Sequence, residues 1–130
     1  MFIELLGLSG VKIQTNNTTI ILSPADEKSE LKSSRMKADI VVLSKSQDKV
    51  NIEPREEKLF KIVRPGEYES SGVFLYCTAN PPKGENKSIL TSITVEGVSI
   101  AHLGGIDKEL TQEQIELFEG SDILIIPVGG

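Results

Sequence analysis

The sequence predicts an α+β fold built mostly from short β-strands, with one helix near the C-terminus. Short runs rich in Ile, Val and Leu recur along the chain, tryptophan is absent, and aromatic residues make up 5% of the composition. A core built from branched aliphatic side chains favours strands. Helical spacing with capping residues appears once, after residue 110. The 130 residues fit a single domain spanning 1–130 with no visible linker.

The first third of the chain indicates a meander of three strands followed by a buried strand. The meander strands are expected at 2–8, 11–15 and 18–22. Asn16-Asn17 supplies a turn, since Asn tolerates left-handed backbone angles. Residues 26–37 are polar and charged, which predicts a solvated connection. Ile40–Leu43 is a run of four apolar residues, which is typical of a strand buried on both faces.

The middle and end of the chain predict a second meander and a final strand. Residues 51–58 are charged and contain Pro54, so no regular strand is expected there. Further strands are expected at 59–63, 72–78, 88–95, 98–102 and 123–128. The strands at 88–95 and 98–102 form a hairpin across Glu96-Gly97, and Ile123–Val128 is apolar enough to be buried.

The helix carries its own start and stop signals. Thr111 can accept from the free backbone amides, while Gln114, three residues later, reaches back to the capping residue. Gly120 ends the helix, because glycine accepts the left-handed conformation that follows a last turn. The predicted apolar stripe comprises Ile115, Leu117 and Phe118.

Composition and charge exclude several classes of function. The net charge is −5 and no block of Lys and Arg offsets it, which argues against affinity for nucleic acid or an anionic membrane. Cys77 is the single cysteine, so no intramolecular disulfide can form and a reducing compartment is expected. The first residues alternate into a strand without a basic stretch leading an apolar run, so no signal peptide is expected, and no apolar run approaches the ~20 residues of a membrane span. A cytoplasmic protein is predicted.

Seven segments in a fixed order resemble the metallo-β-lactamase superfamily, specifically its compact Zn-dependent hydrolase branch. They are Met1–Gly10, Thr19–Pro24, Ala38–Asn51, Pro65-Gly66-Glu67-Tyr68-Glu69, Gly84–Ile89 with Ala101-His102-Leu103-Gly104-Gly105, and Asp122–Gly130. The resemblance implies an αββα sandwich. In the family, Pro-Val-Gly-Gly is usually followed by a helix, a strand and a further His ligand, whereas this sequence stops at Gly130. A C-terminally shortened fold is therefore expected.

The resemblance also implies that the family's metal ligands are lost. In the family, the strand corresponding to 38–44 is followed by His-x-His-x-Asp-His, and further His and Asp residues complete the site. The matching positions here hold Leu8, Lys45, Gln47, Lys49, Val50 and Gly105. None of these side chains is a competent zinc ligand at neutral pH. The sequence therefore predicts a non-catalytic protein without a cofactor, acting as a structural or binding subunit.

A shortened sandwich would leave a sheet face bare. Large apolar patches usually mark an interface. We therefore expect a homo-oligomer, or a partner protein that covers this face.

Two other site hypotheses remain open. His102, the single imidazole, could join Asp48 and Asp107 in a carboxylate-rich cation site, although a strand-end His bonded to backbone explains it more simply. Lys45 and Lys49 could bind an anion in place of the metal.

The competing function is a metal-dependent hydrolase with an atypical zinc site or one completed by another chain. The retained Pro65–Tyr68 and His102–Gly104 segments favour it. Glu67 and Glu69 share a face if their segment is a strand, so paired carboxylates remain possible there. Cys77 lies in a strand pattern and is best explained as a small buried side chain.

Overall fold

The chain is described by a computed structural model that covers residues 1–7, 10–24, 36–43, 52–80, 88–104, 106 and 109–126. It divides into two compact units, an N-terminal unit of Met1–Val63 and a C-terminal unit of Arg64–Gly130. Each unit is built around its own five-stranded sheet.

The N-terminal unit contains seven described strands. They are β1 (Phe2–Gly7), β2 (Gly10–Gln14), β3 (Thr19–Leu22), β4 (Met36–Ala38), β5 (Ile40–Val42), β6 (Ile52–Pro54) and β7 (Phe60–Ile62). The five-stranded sheet has the order β1-β2-β3-β5-β7, while β4 and β6 form a separate pair. The β1–β2–β3 meander is antiparallel, and β5 and β7 continue the sheet in parallel. The predicted meander is confirmed.

The central strands β3 and β5 of this unit are buried on both faces. Ile21 and Val41 are register neighbours on one face and cluster with Ala38 and Leu43. The adjacent positions on β3 and β5 are also fully buried. The prediction that 40–43 is buried on both faces is therefore confirmed.

Two predictions about this unit are wrong. Residues 52–54 form a strand despite Pro54. Among the described strands β6 pairs with β4 alone, and Pro54 is its last residue, where a missing N–H costs little. The ladder is prolonged by the Arg55 amide, which donates to the Ala38 carbonyl at 3.0 Å. Met36 belongs to β4 rather than to a solvated connection.

The turn after β2 has the predicted place but a different cause. Neither Asn16 nor Asn17 has a positive φ. The Thr15 side chain instead accepts from the Thr18 amide at 3.0 Å, and the Thr15 amide donates to the Thr18 carbonyl at 2.9 Å. Threonine hydroxyls often close turns in this way.

The C-terminal unit contains five strands and one helix among its described residues. They are β8 (Gly66–Ser70), β9 (Val73–Asn80), β10 (Ser88–Val95), β11 (Val98–His102), α1 (Gln112–Phe118) and β12 (Ile123–Ile125). The sheet order is β12-β11-β10-β9-β8, with β12 parallel to β11 and the other pairs antiparallel. Val95 pairs with Val98, and Glu96 and Gly97 have φ of 52° and 74°. The predicted hairpin is confirmed, with the two positive φ angles of a type I′ turn.

Helix α1 begins with the predicted capping box and covers part of the sheet. Thr111 accepts from the Gln114 amide at 3.1 Å, the Gln114 side chain accepts from the Thr111 amide at 3.0 Å, and Gly120 follows the last turn with φ 83°. Phe118 packs against Leu90, Ala101 and Leu103. The predicted stripe is wrong in one member: Ile115 is 44% exposed, and Gln114 is buried in its place.

The final strand differs from the prediction. β12 ends at Ile125 and pairs only with β11 among the described strands, so it lies at the edge of the sheet. Leu124 and Ile126 are 52% and 50% exposed, so the expected burial is wrong for them. The predicted end at Val128 lies outside the described residues. No helix in the described part of the chain has the length and apolarity of a membrane span.

Candidate functional site

Of the residues predicted for the cation and anion sites, the structure describes one, His102. The other cation-site candidates, Asp48 and Asp107, and the anion-site candidates, Lys45 and Lys49, lie outside the described residues, as do Leu8, Gln47, Val50 and Gly105. Both site hypotheses therefore stay predictions.

His102 is the last residue of β11 and is 1% exposed. Its register neighbours are Thr91 on β10 and Ile125 on β12. Thr91 in turn pairs with Cys77 on β9. Three buried polar or sulfur-bearing side chains, Cys77, Thr91 and His102, thus form a row across the middle of the sheet.

Burial keeps the Cys77 thiol protonated. Desolvation raises the pKa of this thiol from 9.0 to about 11, and a contact with Thr91 opposes part of the rise. The Cys77 Sγ and Thr91 Oγ1 atoms are 3.8 Å apart. Because the thiolate is the nucleophilic form, a buried thiol of this kind is inert at neutral pH. The interpretation of Cys77 as a small buried side chain is confirmed.

The described residues do not fit the zinc centre that the fold implies. Such a site needs several His nitrogens and carboxylates that converge on one point and leave a position open to water. Among the described residues, no three His, Cys, Asp or Glu side chains come together in this way. His102 is enclosed in the sheet beside Thr91 and Ile125, and the Cys77 thiol is protonated.

The Pro65–Tyr68 segment has a structural explanation. The Tyr68 hydroxyl donates to the Arg64 carbonyl at 2.7 Å, which folds the ring back over the turn before β8. At Gly66, φ is 153°, and an added Cβ would lie 3.3 Å from the Tyr68 hydroxyl oxygen. The backbone conformation favours glycine at position 66, and the hydrogen bond of Tyr68 gives that residue a structural role at the start of β8.

Glu67 and Glu69 lie on one face of β8, as the strand pattern predicted. Both are exposed, and their register neighbours on β9 are Tyr76 and Phe74. This arrangement sets a pair of carboxylates beside two aromatic rings at the edge of the sheet.

A groove beside α1, which the sequence analysis missed, runs along the same sheet face. It has a volume of about 740 Å³. Its lining residues are Tyr76, Thr78, Thr111, Gln112, Glu113, Gln114, Glu116 and Leu117. A second depression of about 340 Å³ shares Tyr76 and Leu117 with it and extends to Glu67, Phe74 and Thr94. We call the two together the α1 groove.

Gln114 fixes the wall of the α1 groove to its floor. Its side-chain nitrogen donates to the Ala79 carbonyl at 2.6 Å and to the Thr78 hydroxyl at 3.2 Å, both on β9. Its side-chain oxygen accepts from the Thr111 amide. One buried amide therefore caps the helix and ties it to the sheet, so the groove exists before anything binds.

Comparison with known proteins places this arrangement in a family. The family model of the β-lactamase superfamily domain matches residues 2–130. The chain belongs to the β-lactamase superfamily. Its mostly β fold with two five-stranded sheets agrees with the metallo-β-lactamase-like fold expected from the sequence.

Solved structures of this superfamily support the assignment. A proposed Zn-dependent hydrolase of the metallo-β-lactamase superfamily from Thermotoga maritima superposes with a TM-score of 0.71 at 26% identity, over 94% of this chain and 58% of that one. The metallo-β-lactamase fold protein YhfI from Bacillus subtilis gives a TM-score of 0.57 at 11% identity, over 88% and 62% of the two chains. This chain thus spans less than two thirds of either. A comparison with curated protein sequences found no match.

Proposed function

We propose that this member of the β-lactamase superfamily is a non-catalytic structural or binding subunit without the family's metal centre. The observation that carries the proposal is the environment of His102. It is the single imidazole in the sequence and is 1% exposed within the sheet. A histidine enclosed in this way cannot share an open coordination position with water and substrate.

The residues at the family's ligand positions support the same conclusion. Lys45 and Lys49 carry positive charge, which repels a divalent cation, and Gln47 and Val50 offer no anionic or imidazole ligand. Loss of one ligand could alter a metal site, whereas simultaneous loss of all of them removes it. Stability that a metal would supply must then come from packing.

A binding role requires a surface, and the C-terminal unit supplies one. Phe74 and Tyr76 are 54% and 42% exposed on a sheet face that α1 covers only in part. Exposed apolar surface of this kind marks interfaces. The proposed occupant is a partner protein or a second copy of the chain. The net charge of −5 disfavours nucleic acid and anionic membranes.

The second candidate is a metal-dependent hydrolase whose site is completed by residues of another chain. Its support is the 26% identity to the Thermotoga maritima protein, of which this chain spans 58%. Under this hypothesis Asp48, Asp107 and His102 would contribute the remaining ligands.

A turnover screen separates the two candidates. The purified protein is incubated with Zn²⁺, Mn²⁺ or Fe²⁺ and assayed on chromogenic β-lactam, ester and phosphodiester substrates. We expect no turnover above that of metal in buffer. Turnover that is lost in Asp48→Asn and Asp107→Asn, but kept in an exposed control such as Glu57→Gln, would contradict the proposal and support the hydrolase.

A further inference from the structure

The face of the C-terminal sheet beside α1 has room for one more helix. Five strands spaced ~4.8 Å apart span roughly 20 Å, whereas packed helices lie ~8–10 Å apart. Helix α1 packs on Leu90 of β10 and on Ala101 of β11. The next strand in the sheet order, β9, keeps its Phe74 and Tyr76 side chains exposed, and β8 lies beyond it at the edge. A helix laid along the α1 groove would complete this layer.

The α1 groove has an apolar floor and acidic walls. Phe74, Tyr76 and Leu117 form the apolar part, while Glu113 and Glu116 line the larger cavity. Glu67 lines the smaller cavity, so carboxylates stand on both sides of the aromatic floor. No Lys or Arg lines either cavity among the described residues.

The C-terminal unit as a whole is negatively charged, like the walls of the α1 groove. Residues 64–130 include ten acidic and four basic side chains, whereas residues 1–63 include nine acidic and ten basic ones. The formal net charges are therefore −6 and +1. An anionic partner would be repelled here, and a cationic one would be steered in.

We propose that the α1 groove docks a basic amphipathic helix of a partner protein. The apolar stripe of that helix would lie on Phe74, Tyr76 and Leu117, in the manner of other helix-in-groove complexes. Its Lys and Arg side chains would reach Glu67 on one side, and Glu113 and Glu116 on the other, with cation–π contact to the rings between them. A second copy of the chain fits less well because its own net charge is −5. The inference rests on the proposed binding role and specifies its partner.

Tyrosine fluorescence provides a direct test. The chain has no tryptophan and two tyrosines, Tyr68 and Tyr76, and both line the smaller cavity. The probe is a peptide of Leu and Lys, about 15 residues or four helical turns long, with leucines at i, i+3, i+4 and i+7. A saturable change in tyrosine emission is expected with this peptide. It should be absent with a matched peptide in which Gln replaces every Lys.

Variants assign the binding to the α1 groove. The double variant Glu113→Gln/Glu116→Gln should bind the Lys peptide up to about tenfold more weakly, as two exposed charge pairs allow. The control Glu4→Gln/Glu57→Gln removes the same charge from the N-terminal unit and should bind like the wild type. Phe74→Ser, which leaves both tyrosines in place, should weaken binding as well. Circular dichroism checks that every variant is folded.

Equal binding by the Glu113/Glu116 variant and the control, or equal binding of the Gln peptide, would overturn the proposal. Absence of any change with the wild type would also overturn it. A dimer that dissociates in Phe74→Ser would instead identify a second copy as the occupant and refute the basic helix. The proposed loss of catalysis is tested separately by turnover: a hydrolase that still bound the peptide would refute the non-catalytic role alone.

Discussion

Replacing Gln114 by Ala tests whether one buried amide holds α1 on the sheet. The Gln114 side chain makes three hydrogen bonds, to the Thr111 amide, the Thr78 hydroxyl and the Ala79 carbonyl, at 3.0, 3.2 and 2.6 Å. Each such bond contributes about 1 kcal/mol net, and a buried group left unpaired costs somewhat more. The variant should therefore lose about 2–3 kcal/mol of unfolding free energy.

Gln112→Ala is the matched control for this variant. Gln112 lies in the same helix, is exposed, and donates one 3.4 Å hydrogen bond to Glu116. Its loss should change the unfolding free energy by less than about 0.5 kcal/mol. Urea unfolding followed by circular dichroism measures both values from the transition midpoint at constant slope. If the two variants are destabilised equally, Gln114 does not anchor the helix and the α1 groove has no fixed wall.

Three further predictions concern Gly66, Cys77 and the edge strand β12. Gly66→Ala should destabilise the protein by about 1–2 kcal/mol. The loss should be smaller in a Tyr68→Phe background, because the hydroxyl that the new Cβ approaches is then absent. A double-mutant cycle of urea unfolding measures the difference, and strictly additive effects of the two substitutions would refute the prediction. Because burial raises the pKa of Cys77, its thiol ionises between pH 9.0 and about 11 in the unfolded chain but not in the folded one. The contribution of the buried thiol to the unfolding free energy is therefore complete below pH 9.0 and is lost as the pH rises to about 11. If the unfolding free energy of the wild type falls with pH no more steeply than that of Cys77→Ser, the prediction is wrong. The exposed edge strand β12 is the expected contact if the protein self-associates. Leu124→Lys should then shift the sedimentation coefficient to that of a monomer, whereas Leu5→Lys on the exposed β1 should leave it unchanged. The opposite result would place the contact at β1.

Local signals in the sequence predicted the elements that depend on neighbouring residues. The hairpin across Glu96-Gly97 and the capping box of Thr111 and Gln114 are both present as predicted. Each depends on groups within three or four positions, so the residues themselves specify the geometry. The buried run at 40–43 was also predictable, since four apolar residues in a row leave no polar face.

Elements that depend on distant pairing were harder to predict. Ile123–Ile126 has the composition of a central strand, but nothing in those residues states that β12 has one described neighbour. The presence of Pro54 led to the prediction of no strand at 51–58, because the sequence gives no sign of the short β4 with which β6 pairs. Ile115 and Gln114 exchanged roles because Thr78 and Ala79, more than thirty positions earlier, bind the amide.

For the candidate site, too, some features could be predicted from the sequence and others needed the structure. The predicted loss of the family's ligand types rests on the sequence at Lys45 and Lys49, whereas the burial of His102 depends on β10 and β12 and needed the structure. The α1 groove was missed because its floor and walls come from separate segments. A signal was present: residues 73–77 are all apolar, so one face of β9 had to expose apolar side chains or be covered.

Metal content tests whether this chain lacks the metal centre of its superfamily. Untagged protein, purified without chelators and then dialysed against zinc, is analysed by elemental mass spectrometry beside a His102→Ala variant. We expect a folded protein with far less than one metal ion per chain and no difference between the two proteins. Near-stoichiometric zinc, manganese or iron that disappears in His102→Ala would contradict it and show that this member of the superfamily has kept a metal centre.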